Sequence, residues 1–256
     1  MKIEKIKKDA DCMVFAIEGV KPSFVNSLRR AITNEVPTMA IEDVEFRKNS
    51  SSLYDEMLAM RMGLLVLSTD LKSYEFPSEK VPADSAKASL KLTLSAKGPK
   101  VVYASDFKSA DPKVKPVHDK TPIVKLLEGQ ELEVEATAVL GRGKEHAKWS
   151  PGHAYYRNDA DINIDNDSPL IEDYRSMYPP EIFKNGKIDK QSILKNNLVD
   201  AVDGVNEDII KVEYNPERFI FTVESWGQLA PEEMVKEAIK ILVGKLDEFS
   251  DKIKEL

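Results

Sequence analysis

The stretch PEEMVKEAIKILVGKLDEFSDKIKEL, residues 231–256, decides how this chain is read. Pro231 suits a first helical turn, where its missing N–H is not needed, and Glu232 and Glu233 complement the positive end of a helix. Val235, Ile239, Leu242, Leu246, Phe249, Ile253 and Leu256 follow at alternating spacings of four and three. A 3.5-residue period makes a seam that calls for a second helix alongside. Two arrangements satisfy it: the helix lies on the chain's own sheet, as most amphipathic helices do, or it pairs with another polypeptide. The stripe runs to the final residue, where an uncovered helix frays, and that favours a partner.

Working outward, PSFVNSLRRAITNEV (22–36) predicts a second helix, opened by Pro22 and stopped by Pro37. At 100° per residue, Phe24, Val25, Leu28, Ala31, Ile32 and Val36 fall within an arc of roughly 140°. Arg30, Asn26 and Thr33 lie opposite, and Arg29 sits at the edge. Strands are expected at 13–18 and 38–46. ASLKLTL (88–94) and ELEVEATAVL (131–140) alternate in the manner of strands with one wet face. A proline-lysine loop (109–122) lies between them. Residues 191–202 predict a short helix. The runs at 209–214 and 218–225 predict a hairpin around Asn215-Pro216-Glu217.

The chain has 256 residues, a net charge of −7 and one cysteine, Cys12. An acidic chain lacks the basic footprint of a protein that holds nucleic acid by itself, so no direct nucleic-acid binding is expected. One cysteine excludes an internal disulfide. The amino-terminal segment lacks the apolar core of a signal peptide, and no run reaches the ~20 apolar residues of a membrane span. A cytoplasmic protein without membrane contact is the expectation.

LGRGKEHAKWSP (140–151) is the most unusual stretch. A phosphate cradle needs glycine amides followed by Lys and then Ser or Thr; here Glu145 follows Lys144, and the glycine spacing is wrong. Arg142, Lys144, Lys148 and Trp149 could make a small basic-aromatic patch, but a conformationally demanding contact loop is the plainer reading. Asp161, Asn163, Asp165 and Glu172 mimic positions of a calcium loop, with Asn166 where glycine belongs; a solvated acidic loop is favoured. His118, His146, His153 and Cys12 show no zinc spacing. No catalytic constellation is evident, and neither metal nor cofactor is expected.

Four stretches together resemble one family: PSFVNSLRRAI (22–32), MLAMRMGLLVL (57–67), GRGKEHAKWSP (141–151) and NPERFIFTVESWG (215–227) with the helix after it. In this order they resemble the D-type subunits of archaeal DNA-directed RNA polymerase, which are related to the third-largest subunit of eukaryotic RNA polymerase II and to the amino-terminal region of the bacterial alpha subunit. Met60 and Val66 stand where that family usually has His and Pro.

The resemblance implies an α+β fold in which a discontinuous, alpha-subunit-like dimerisation domain (1–49 and 206–256) carries an inserted β-rich domain (50–160). A small ferredoxin-like insert (161–205) would follow. This span has no cysteine, whereas an iron–sulfur cluster normally takes four thiolates, so the insert is expected without its cluster. The resemblance further implies a non-catalytic assembly subunit of DNA-directed RNA polymerase, heterodimerising with subunit L and contacting subunits N and P and the large catalytic subunits.

Phe24, Leu28 and Ile32, with Val235, Ile239, Leu242, Leu246, Phe249 and Ile253, would then form the partner-binding surface. Arg29 and Arg30 match the family's Leu-Arg-Arg signature and would make polar contacts to a large subunit. The loop of Gly141, Arg142, Gly143, Lys144, Glu145, His146, Lys148 and Trp149 would face the large subunits. Two other readings compete: a homodimeric regulatory module, and a calcium- or nucleotide-dependent enzyme centred on 141–172.

Overall fold

The computed structural model describes residues 1–255; Leu256, the last position of the expected seam, lies outside them. In chain order the elements are β1 (Lys2–Lys8), β2 (Cys12–Glu18), α1 (Pro22–Asn34), β3 (Pro37–Asn49), α2 (Asp55–Gly63), β4 (Ser89–Lys97), β5 (Lys100–Tyr103), β6 (Lys108–Ser109), β7 (Pro122–Leu126), β8 (Glu131–Arg142) and β9 (Gly152–Ile164). There follow α3 (Ile171–Tyr174), β10 (Phe183–Lys184), β11 (Lys187–Ile188), α4 (Lys190–Lys195), α5 (Val199–Val202), β12 (Ile210–Ser225) and α6 (Pro231–Lys254). The fold is mixed α+β with antiparallel sheets. The chain divides into two compact units: residues 1–5, 15–22 and 156–221, and residues 6–14, 23–155 and 222–256.

In the first unit, segments of β1, β2, β12 and β9 stand in that sheet order. The expected hairpin at 209–225 is instead one continuous strand, β12. Pro216 is compatible with extended backbone, and its neighbours from Glu213 to Glu217 are exposed, so no buried ladder bond is lost. The Asn215 side chain accepts from the Glu217 N–H at 2.9 Å within the strand rather than closing a turn. The expected helix at 191–202 is broken into α4 and α5, with Asn197 at φ 54° between them. Around these short elements Ile162, Ile171, Tyr178, Ile182, Ile188, Ile193, Val199, Val202, Ile209 and Ile210 close an apolar core of their own.

In the second unit the order is β3-β8-β4-β6, with a separate β5-β7 pair. The alternation read in β4 and β8 puts Leu90, Leu92, Leu94, Leu132, Val134, Ala136, Ala138 and Leu140 inward. Met39 and Ile41 of β3 and Leu58 and Met62 of α2 join that core. Glu131, Glu135, Lys91, Lys97 and Arg47 pair with one another on the opposite, wet face. Helix α2 has no clear signature in the sequence, because the apolar residues of DEMLAMRMG are spread around the axis and mark no single face.

Candidate functional site

Helix α6 carries two apolar faces. Met234 and Ala238 are buried in the second unit, and Pro231 is buried at its start. Gly152 lets the helix approach β9: a Cβ there would lie 3.0 Å from Met234 Cε and 2.0 Å from the Glu224 carbonyl oxygen. Roughly a quarter-turn away runs the stripe of Ile239, Val243, Leu246, Phe249 and Ile253. These side chains are between 47 and 67% exposed. From Val243 to Glu255 every described residue is exposed, and the second half of α6 reaches its own unit through the ion pair of Lys245 with Glu35. Burying one such side chain is worth about 1.5–3 kcal/mol, and water gives none of it back.

Charges fix both ends of the self-packed half. Glu232, in the first turn, meets the ammonium groups of Lys236 and Lys8, whose hydrogen bonds hold its carboxyl down to about 2. At the far end, Lys245 Nζ lies 2.8 Å from Glu35 Oε1, just beyond α1. Lys144 Nζ lies 3.5 Å from the other Glu35 oxygen. Burial pushes the Glu35 carboxyl up, but the two ammonium groups pull it further the other way, and it ends below its ordinary value.

The expected interface residues divide. Ile239, Leu246, Phe249 and Ile253 are exposed, as is Phe24 on α1, at 44%; Val235 and Leu242 are half-buried. Val243 belongs to the exposed stripe but lies off the alternating four-three spacing, so periodicity alone misses it. Leu28 and Ile32 are corrections. Both are buried within the chain's own fold, because α1 turns its strongest apolar positions inward and leaves only Phe24 at its rim. Arg30 is exposed, while half-buried Arg29 is bonded to Asn26 Oδ1 at 3.1 and 3.2 Å.

The loop at 141–149 also divides. Gly141 and Trp149 are buried, which removes them from any surface role. A Cβ at Gly141 would fall 2.2 Å from the Trp149 ring, and one at Gly143 would fall 2.1 Å from the Thr33 carbonyl oxygen. The paired glycines therefore permit close approach rather than cradle a phosphate. Thr38 Oγ1 donates to the Trp149 carbonyl at 2.8 Å, and Lys144 N–H donates to the Asn34 carbonyl at 3.1 Å. Lys148 Nζ sits 4.4 Å from the Trp149 ring centroid, donates to the Ile41 carbonyl and pairs with Glu42. Arg142 lies 4.6 Å from the Phe76 ring centroid. Lys144, Glu145 and His146 remain at the surface.

Three residues of the calcium-like pattern have other partners in the fold. Asp161 is paired with Lys190, Glu172 with Arg175, and Asn166 bonds the backbone of Ile188. Among the described residues no three His, Cys, Asp or Glu side chains are gathered to hold a metal ion. No described helix is long and apolar enough to cross a membrane.

The model of the RNA polymerase Rpb3/Rpb11 dimerisation domain matches residues 14–246. The DNA-directed RNA polymerase subunit Rpo3 of Pyrococcus furiosus is 36% identical over 260 residues, covering 100% of this chain and 98% of that protein. The Rpo3 proteins of Methanosphaera stadtmanae and Pyrobaculum calidifontis are each 36% identical, covering 100 and 98% of this chain and 99 and 95% of their own lengths. A match from β2 into the exposed part of α6, with full-length similarity to such relatives, makes this chain a member of the RNA polymerase Rpb3/Rpb11 dimerisation-domain family.

Proposed function

We propose that this chain is a non-catalytic assembly subunit of a DNA-directed RNA polymerase. It grips a small sister subunit, the family's subunit L, and the pair forms the platform for the large catalytic subunits. The observation that carries this reading is the second half of α6, whose apolar stripe is left exposed by the described residues of its own chain. Obligate interfaces are apolar in this way. The acidic balance supports it too, because a platform needs no nucleic-acid footprint of its own.

Under this reading Phe24 and the α6 stripe meet subunit L. Arg30 and the tip Lys144-Glu145-His146 face other subunits, N, P or a large one, in the cytoplasm. The three-part division into 1–49 with 206–256, 50–160 and 161–205 is part of the same proposal, as is a ferredoxin-like ancestry for the last span. That span is organised around an apolar core rich in isoleucine and valine.

Co-expression with subunit L, followed by light scattering, tests the proposal. A one-to-one heterodimer is expected. A stable symmetric dimer of the chain alone, indifferent to L, would favour the homodimeric module instead. Leu246→Glu places a charge in the dry seam, where an unpaired charge is costly; it is expected to abolish co-purification with L while the chain stays folded.

A further inference from the structure

Among the described residues, the last ion pair that joins α6 to the body of its own unit is the one between Lys245 and Glu35. Val235, Ile241 and Leu242 are half-buried, and from Val243 onward the described helix is exposed. Lys245 lies just inside this free half, and its ammonium reaches back to Glu35. The later ion pairs of α6, Glu248 with Lys252 and Asp251 with Lys254, stay within the helix.

Glu35 is well placed to be an anchor. Its N–H donates to the Ala31 carbonyl at 3.0 Å, continuing the last turn of α1. The adjoining turn is held by the 141–149 loop: Gly143 lies so close to the Thr33 carbonyl that a Cβ would not fit, and Lys144 N–H donates to the Asn34 carbonyl. The Glu35 side chain is 18% exposed, against 53% for Lys245 and 45% for Lys144. A shielded carboxylate on a fixed backbone therefore holds two flexible cations, one on α6 and one on the loop.

We infer that Glu35 is a positioning residue for partner binding, setting through Lys245 the angle at which the free half of α6 is presented and tying that angle to the 141–149 loop through Lys144. This rests on the free half of α6 being the surface that meets subunit L. One salt bridge at a pivot has leverage over a lever arm: Ile253 lies eight residues beyond Lys245, about 12 Å at 1.5 Å per residue, so a rotation of about 10° there moves it by about 2 Å.

The experiment is a double-mutant cycle on the full chain, measuring affinity for purified subunit L. Glu35→Gln is nearly isosteric, and Lys245→Gln changes an exposed side chain, so both variants should fold; thermal unfolding of each chain alone checks this. Each is expected to weaken binding about three- to tenfold, and the double variant is expected to be no weaker than either single one, since coupled residues depart from additivity. Lys245→Arg, which keeps charge and reach, is expected to restore affinity. Unchanged affinity in Glu35→Gln, or additive losses, would overturn the positioning role while leaving the seam intact if Leu246→Glu still abolishes binding. If Leu246→Glu binds normally, the seam reading falls and this inference falls with it.

Discussion

At the scale of the residue, glycine and tryptophan in the 141–149 loop are explained by space. Gly143→Ala would drive a methyl group into the Thr33 carbonyl, 2.1 Å away, and overpacking of this kind costs about 1–3 kcal/mol. Urea unfolding should show that loss, and an unchanged midpoint would mean the loop relaxes freely. Glu35 carries a pH signature. Its carboxyl lies below its ordinary value of 4.5 in the folded chain. A depressed carboxylate contributes stability above its unfolded value and loses it as pH falls through the folded one. The gap in stability between wild type and Glu35→Gln should therefore be full at pH 7 and shrink below about 4.5; a gap constant down to pH 3 would contradict the ion pair. Little of this is legible in the sequence. Gly141, Gly143 and Trp149 stand out as unusual there, but the carbonyl facing Gly143 comes from α1 and the hydroxyl bonded to the Trp149 carbonyl comes from β3. No pattern links Glu35 to Lys245, because long-range ion pairs leave no periodicity.

At the scale of the element, α6 is the most legible part of the chain, since a helix with an uninterrupted stripe needs no tertiary information to be recognised. Its division is not legible: Met234 and Ala238 face inward from positions that the seam spacing skips, and Val243 joins the exposed stripe. The same limit explains Leu28 and Ile32, which periodicity places on the apolar side of α1 but cannot assign to core or partner. Strand β12 reads as two strands split at Asn215-Pro216 because proline reads as a breaker, although an exposed extended segment tolerates it. A graded outcome follows along α6. Phe249→Ala and Ile239→Ala should each weaken partner binding by about 1–3 kcal/mol without lowering the stability of the free chain. Met234→Ala, in the self-packed half, should destabilise the free chain by about 2–5 kcal/mol. Equal effects of Phe249→Ala and Met234→Ala on the free chain would erase the distinction between the two halves.

At the scale of the whole molecule, the first unit contains an apolar core built by residues 162–210, and its stability should come from packing. Ile193→Ala should cost about 2–5 kcal/mol, whereas a strong chelator should leave the melting temperature of the wild-type chain unchanged; a fall on chelation would reveal a structural metal. The mixed α+β class and the β-rich middle are legible in the alternation of β4 and β8. The pairing of β3 with β8 over Pro37–Asn49 is not, because strand order is set by contacts distant in sequence. The central claim remains that α6 is finished by another polypeptide. Hydroxyl-radical footprinting of Leu246, Phe249 and Ile253, in the free chain and in the polymerase particle isolated intact, tests it most directly. Strong labelling in the free chain and near-complete protection in the particle are predicted; equal labelling in both would contradict the account.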